Sequence, residues 1–128
     1  MNKSKKILLV EDETDLRELY QSLLEEEGYS VVAVADGKEG LRIIKEGGYD
    51  LVLLDIMLPF IDGLEILETI SHDRERKQPS KTIVLLTNLA QDQTIAKALK
   101  FGVRGYMIKS DYDPDQLLDT IASFLKKE

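Results

Sequence analysis

Three short stretches of this chain, residues 7–10, 51–54 and 83–86, are apolar at every position. A strand with one face in water alternates apolar and polar residues, so unbroken runs of this length predict strands buried on both faces of a parallel sheet. The valine-rich residues 30–35 and the short apolar residues 105–108 predict two more strands. Between these runs the spacing changes. Leu16, Leu19, Tyr20, Leu23 and Leu24 fall at i, i+3, i+4, i+7 and i+8, one apolar stripe on a helix, and Leu117, Leu118, Ile121, Ala122 and Leu125 repeat the pattern near the end. The last helix is marked at its start by Asp113 as cap, Pro114 in the first turn and Gln116 placed to reach back. Asp36 with Glu39 and Asp62 with Glu65 are similar capping boxes for two more helices. Gly28, Gly47 and Gly102 stand where helices should stop in a left-handed residue. A fourth helix, around residues 91–101, is less sharply bounded. Strand and helix therefore alternate five times, which predicts an α/β domain: a parallel sheet, right-handed crossovers and helices on both faces.

Composition agrees with one such domain. The 128 residues, 43% of them apolar, suffice for a core without disulfides or a structural metal, and the lack of cysteine excludes a disulfide scaffold and thiolate metal sites. Absence of cysteine fits a cytoplasmic setting. The apolar run after Met1-Asn2-Lys3-Ser4-Lys5-Lys6 is far too short for a signal peptide or a membrane span. A net charge of −7 argues against direct binding to nucleic acid or to anionic membranes. The lysines near the ends, Lys3, Lys5, Lys6, Lys126 and Lys127, read as solvated charges, and the lone His72 as a surface residue or a charge partner for a helix C-terminus.

The chemistry is expected at the carboxyl ends of the strands, where parallel α/β sheets collect functional groups. The apolar runs are followed there by Glu11 and Asp12, by Asp55, by Thr87 and by Lys109. Each alone has a plain structural reading as a cap, a turn residue or a surface charge. Together, three carboxylates on one edge repel one another unless a cation joins them. An all-oxygen donor set without His or Cys selects a hard ion, and one that also accommodates a phosphoryl group favours Mg²⁺. Asp55 is the best nucleophile candidate, since a carboxylate can form an aspartyl phosphate while metal and lysine neutralise the gathering charge. The Thr87 hydroxyl is placed to donate a hydrogen bond to the transferred group.

From residue 6 to residue 125 the chain resembles the receiver domain of bacterial two-component response regulators, in particular single-domain chemotaxis-type regulators. Ile7-Leu8-Leu9-Val10-Glu11-Asp12-Glu13 resembles the family's first strand and acidic pair, and Leu53-Leu54-Asp55-Ile56-Met57-Leu58-Pro59 with Asp62-Gly63 its phosphorylation loop. Thr87, Lys109 and Tyr106 match its remaining site positions and its switch aromatic. The resemblance implies a doubly wound five-stranded sheet of flavodoxin-like order 2-1-3-4-5 and a single receiver domain over residues 1–128 with a core of about 6–125. It implies a histidine kinase or histidine phosphotransfer protein as donor, and a Mg-dependent transfer that the receiver catalyses onto its own Asp55. As metal ligands it implies Asp12, Asp55 and the backbone carbonyl of Met57, with Glu11 acting through water. Output would follow when Thr87 moves toward the phosphoryl group and Tyr106 turns inward, remodelling a protein-binding face that includes Lys100, Arg104, Tyr106 and Tyr112. A homodimer could form through that same face. The kinase, the stimulus and the downstream target or output domain are not given by the sequence, nor whether the chain stands alone or was cut from a longer protein.

Three residues depart from the family pattern. Ser110 replaces the usual proline after the lysine, which leaves the isomer of the Lys109–Ser110 peptide open. Asn88 replaces a small residue beside Thr87, and Phe60 replaces a glycine in the loop after Asp55. With Met57 and Leu89 they are expected to add bulk around the site, restrict water and lengthen the life of the aspartyl phosphate. Among rivals, a dehalogenase-type phosphatase needs a second acid two residues after its aspartate, where this chain has Met57. A flavin-binding relative needs a Ser/Thr-rich phosphate loop where Glu11 and Asp12 stand. The alternative reading is a receiver-shaped interaction module that works without phosphorylation.

Overall fold

The computed structural model describes residues 5–73, 82–88 and 91–126. In chain order the elements are β1 (Lys6–Val10), α1 (Thr14–Glu26), β2 (Ser30–Val34), α2 (Gly37–Glu46), β3 (Leu51–Leu54), α3 (Gly63–Ser71), β4 (Ile83–Thr87), α4 (Asp92–Lys100), β5 (Gly105–Ile108), a 3₁₀ turn (Lys109–Asp111) and α5 (Pro114–Lys126). The five strands form one parallel sheet in the order β2-β1-β3-β4-β5, as expected. Three strand limits differ by one residue from those expected: β1 begins at Lys6, which pairs with Ser30, β2 ends at Val34, and Thr87 belongs to β4, where it pairs with Ile108.

The doubly apolar strands divide their side chains between two cores. Leu8, Val10, Val52, Leu54 and Leu85 pack with Ile43, Ile44, Ile66, Leu67, Ile70, Ile95 and Ala98 of α2, α3 and α4. Ile7, Leu9, Leu51, Leu53, Val84 and Leu86 pack with Tyr20, Leu24, Leu117, Ile121 and Leu125 of α1 and α5. Successive strand residues thus serve opposite layers, which is why no polar position interrupts the runs. Burying each such leucine or isoleucine stabilises the fold by about 1.5–3 kcal/mol before the loss of chain entropy is counted.

Leu19 departs from the expected stripe and is 46% exposed, whereas Tyr20 and Leu24 are buried. At about 100° per residue, Leu19 lies far round the helix from the direction midway between Tyr20 and Leu24. The helix ends follow the sequence. The Asp113 carboxylate accepts from the Gln116 amide at 2.8 Å and the Gln116 side chain accepts from the Asp113 amide at 3.0 Å, a reciprocal box. Asp36 and Asp62 accept from the amides of Glu39 and Glu65. In α2 the returning half of the expected box is replaced, because the Glu39 carboxylate accepts instead from Arg42 at 2.9 Å. Gly28, Gly47 and Gly102 all have positive φ, the conformation that ends a helix without a Cβ penalty.

Candidate functional site

At the carboxyl edge of the sheet, β1, β3, β4 and β5 end in a cleft of about 410 Å³ lined by Glu11, Asp12, Glu13, Asp55, Met57, Thr87, Asn88 and Lys109. Every strand-end residue singled out in the sequence is therefore in one place. Register explains the convergence: Val10 pairs with Leu54, and Thr87 with Ile108, so the next residues of each strand emerge side by side.

Carboxylate oxygens of Glu11, Asp12 and Asp55 lie within 4.8 Å of one another. Glu11 and Asp55 are buried, at 1% and 5% exposure, while Asp12 faces solvent. The Lys109 ammonium bridges the two buried acids, 2.5 Å from Glu11 Oε1 and 2.5 Å from Asp55 Oδ2. The other oxygen of each is held by backbone, Glu11 Oε2 accepting from the Glu13 amide at 2.9 Å and Asp55 Oδ1 from the Met57 amide at 3.3 Å. Burial pushes the Glu11 carboxyl above its ordinary value, against the pull of Lys109 and of the Glu13 amide. For Lys109 burial works downward, but its hydrogen bonds and charge attraction to Asp55 and Glu11 together outweigh it and hold the ammonium above its ordinary range. One lysine neutralises one of three acid charges, so this all-oxygen cluster is suited to a hard divalent cation.

Glycine shapes the floor of the site. A Cβ on Gly63 would stand 2.5 Å from the Asp55 carbonyl oxygen and 2.8 Å from the Ile56 Cα, and the Gly63 amide donates to the Ile56 carbonyl at 2.8 Å. Only a residue without a side chain lets α3 begin so close to the nucleophile candidate. Arg17, which the sequence reading did not single out, donates from α1 to the carbonyls of Glu11 at 3.0 Å and Asp12 at 3.2 Å and so ties down the acidic turn. Its position in a polar helix face gave no sign of this, because the partners are backbone atoms.

Other expectations are corrected. Phe60 lies outside the Asp55 cleft: it is 82% exposed, has a φ of 70° and lines a groove with Asp36, Lys38, Glu39 and Arg42 at the start of α2. Asn88 does line the cleft, and so does Met57, itself 66% exposed. Leu89 falls outside the described residues. Among the described residues no peptide is cis, so Lys109–Ser110 is trans. Tyr106 pairs with Leu85, two residues before Thr87, and therefore shares a sheet face with Thr87; the residue is 47% exposed. Lys100 and Arg104 are exposed as well. Tyr112 differs from the expected face, being half-buried against the core formed with α1 and α5.

A doubly wound parallel sheet with an acidic pair, an aspartate, a hydroxyl and a lysine at its carboxyl edge defines a receiver-type domain. The match to the response regulator receiver domain model covers residues 7–122, and the chain belongs to that family. The chain is 41% identical over 122 residues to the uncharacterized transcriptional regulatory protein YkoG of Bacillus subtilis, covering 94% of this chain and 51% of that protein. It spans about half the length of the curated relatives it matches. Among solved structures it is similar to a CheY-like response regulator receiver domain protein of Methanospirillum hungatei, with a TM-score of 0.83, 32% identity and coverage of 96% of this chain and 94% of that one. It is also similar to the receiver domain of sensor histidine kinase PA1611 of Pseudomonas aeruginosa, which has a magnesium ion coordinated in its active site cleft. There the TM-score is 0.80, the identity 27% and the coverage 95% and 98%. Among the described residues no helix is long and apolar enough to cross a membrane.

Proposed function

We infer that residues 6–125 act as a single phosphoacceptor unit that takes a phosphoryl group on Asp55 from a histidine kinase or histidine phosphotransfer protein. The observation that carries this reading is the Asp55 carboxylate itself, buried at the end of β3 with Lys109 on one oxygen and two further acids beside it. Asp12 and Asp55 would hold Mg²⁺ with the Met57 carbonyl, and Glu11 would act through water. When bound, the ion supplies positive charge against the oxygens of the transferring group. The chain's own residues do the rest. An Asp55 oxygen forms the new bond to phosphorus as the phosphorus–nitrogen bond to the donor imidazole breaks, and that nitrogen keeps the electron pair and takes a proton. Lys109, already fixed on Asp55, can exchange a carboxylate oxygen for a phosphoryl oxygen while staying on Glu11, which keeps the ammonium in place through the reaction.

Thr87 then donates its hydroxyl to the phosphoryl group, and Tyr106, on the same sheet face, turns inward and alters the surface around Lys100 and Arg104. That altered face is what a downstream partner or a second copy would read. Met57 and Asn88, which line the cleft, are the residues that restrict water and lengthen the life of the aspartyl phosphate. A cytoplasmic setting, with cytoplasmic donors, goes with this reading. No observation favours an interaction module independent of phosphorylation. The test is intact mass after incubation with Mg²⁺ and a small acyl phosphate: one phosphoryl adduct on wild type and none on Asp55→Asn is expected. An unmodified wild type, or an equal adduct on Asp55→Asn, rejects the reading.

A further inference from the structure

Lys109 opens a 3₁₀ turn, Lys109–Asp111, directly after β5. Amides in a first helical turn have no acceptor within the turn, and the preceding residue commonly caps them with its side chain. Here that residue is Ile108, which has nothing to offer, and no local side-chain cap is made. The Ser110 amide instead donates to Asn88 Oδ1 at 3.1 Å, a partner 22 residues away. The β4–β5 ladder stops at the pair Thr87 and Ile108. Asn88, the next residue of β4's chain, thus continues the connection one step beyond the ladder with its side chain. The peptide it holds is the one joining Lys109 to Ser110.

We propose that Asn88 is a positioning residue for Lys109, capping through its side-chain carbonyl the turn from which the lysine reaches Asp55 and Glu11. The reach is demanding, since one ammonium must stay 2.5 Å from oxygens on two different strands' ends. Fixing the Lys109–Ser110 peptide fixes the direction in which the lysine side chain leaves the backbone. The bond requires a backbone N–H at residue 110, which Ser110 supplies and a proline would lack. The two departures around the site, Asn88 and Ser110, are thereby partners of each other.

Asn88 also lines the cleft, so the test separates capping from wall-building and rests on the phosphoacceptor reading only for its second readout. Amide exchange at Ser110 is followed by NMR in the metal-free protein for wild type, Asn88→Ala, Asn88→Leu and Asn88→Asp. Phosphorylation of Asp55 by a small acyl phosphate with Mg²⁺ is timed for the first three. Capping predicts that Asn88→Ala and Asn88→Leu both speed Ser110 exchange about threefold to tenfold and slow phosphorylation by a similar factor. Asn88→Asp, which keeps an acceptor of the same shape, retains the protection. Ser110 exchange unchanged in Asn88→Ala overturns the proposal. So does a wild-type rate and protection in Asn88→Leu, which has the bulk and lacks the acceptor. If wild-type Asp55 takes no phosphoryl group at all, the phosphoacceptor reading fails, and the exchange measurements still decide the cap.

Discussion

Gly63→Ala tests the coupling of fold to site. The added methyl would lie 2.5 Å from the Asp55 carbonyl oxygen, about 0.9 Å inside the 3.4 Å at which ordinary contact begins, and 2.8 Å from the Ile56 Cα. Both obstacles are backbone and cannot swing aside. Gly63 is not among the residues with positive φ, so alanine meets no intrinsic backbone penalty there and the whole effect is steric. The start of α3 must retreat from β3, stretching the bond from the Gly63 amide to the Ile56 carbonyl, at a cost of about 1–3 kcal/mol. In a domain of this size that lowers the melting temperature by roughly 5–15 °C. Because the displaced atoms include the backbone of Asp55, phosphorylation by acyl phosphate should also slow, by about tenfold. Gly102→Ala is the contrast: its φ is 100°, but a Cβ there meets nothing within 4 Å. It should cost about 1 kcal/mol of strain and leave the phosphorylation rate unchanged. Melting by circular dichroism and timed intact mass measure the pair. A Gly63→Ala protein matching wild type in both would refute the packing argument.

Other outcomes follow from the same geometry. Lys109→Ala removes the charge that pulls Glu11 downward, so NMR titration should find the Glu11 carboxyl above its ordinary 4.5 in wild type and higher still in the variant. The sign for stability follows: with the folded value raised, the contribution of Glu11 is complete below 4.5 and is lost as pH climbs through the folded value. Lys109 is raised too, so its contribution is complete below 10.5 and is lost as pH rises through the folded value. Denaturant midpoints across pH check both. Asp12→Asn takes one charge from the cluster and should weaken Mg²⁺ binding about tenfold or more by calorimetry, with little change in melting temperature because Asp12 is exposed. Leu53→Ala, at a fully buried strand position, should cost about 2–5 kcal/mol in denaturant unfolding.

The parts of this molecule legible in its sequence are those set by local chemistry and by strand parity. Uninterrupted runs such as Leu51–Leu54 reported burial on two faces, and a parallel register then forced Glu11, Asp12, Asp55, Thr87 and Lys109 to one edge. Caps were legible for the same reason, since Asp113 and Gln116 act across a single turn. What escaped was set by three-dimensional approach. Leu19 belongs to an apolar stripe by spacing but lies beyond the edge of the contact with the sheet. Phe60 follows Asp55 closely in sequence, yet a left-handed backbone sends it to the α2 side. Arg17 and Asn88 act on backbone atoms, which carry no residue-type signal.

Whether Asp55 carries the phosphoryl group is read out by reductive mapping. After incubation with Mg²⁺ and acyl phosphate, borohydride converts an aspartyl phosphate to homoserine, which peptide sequencing by mass spectrometry locates. Homoserine is expected at position 55 and at no other acid. Reduction at Asp12 or Glu11, or none anywhere in a protein that has gained phosphate, would contradict that assignment.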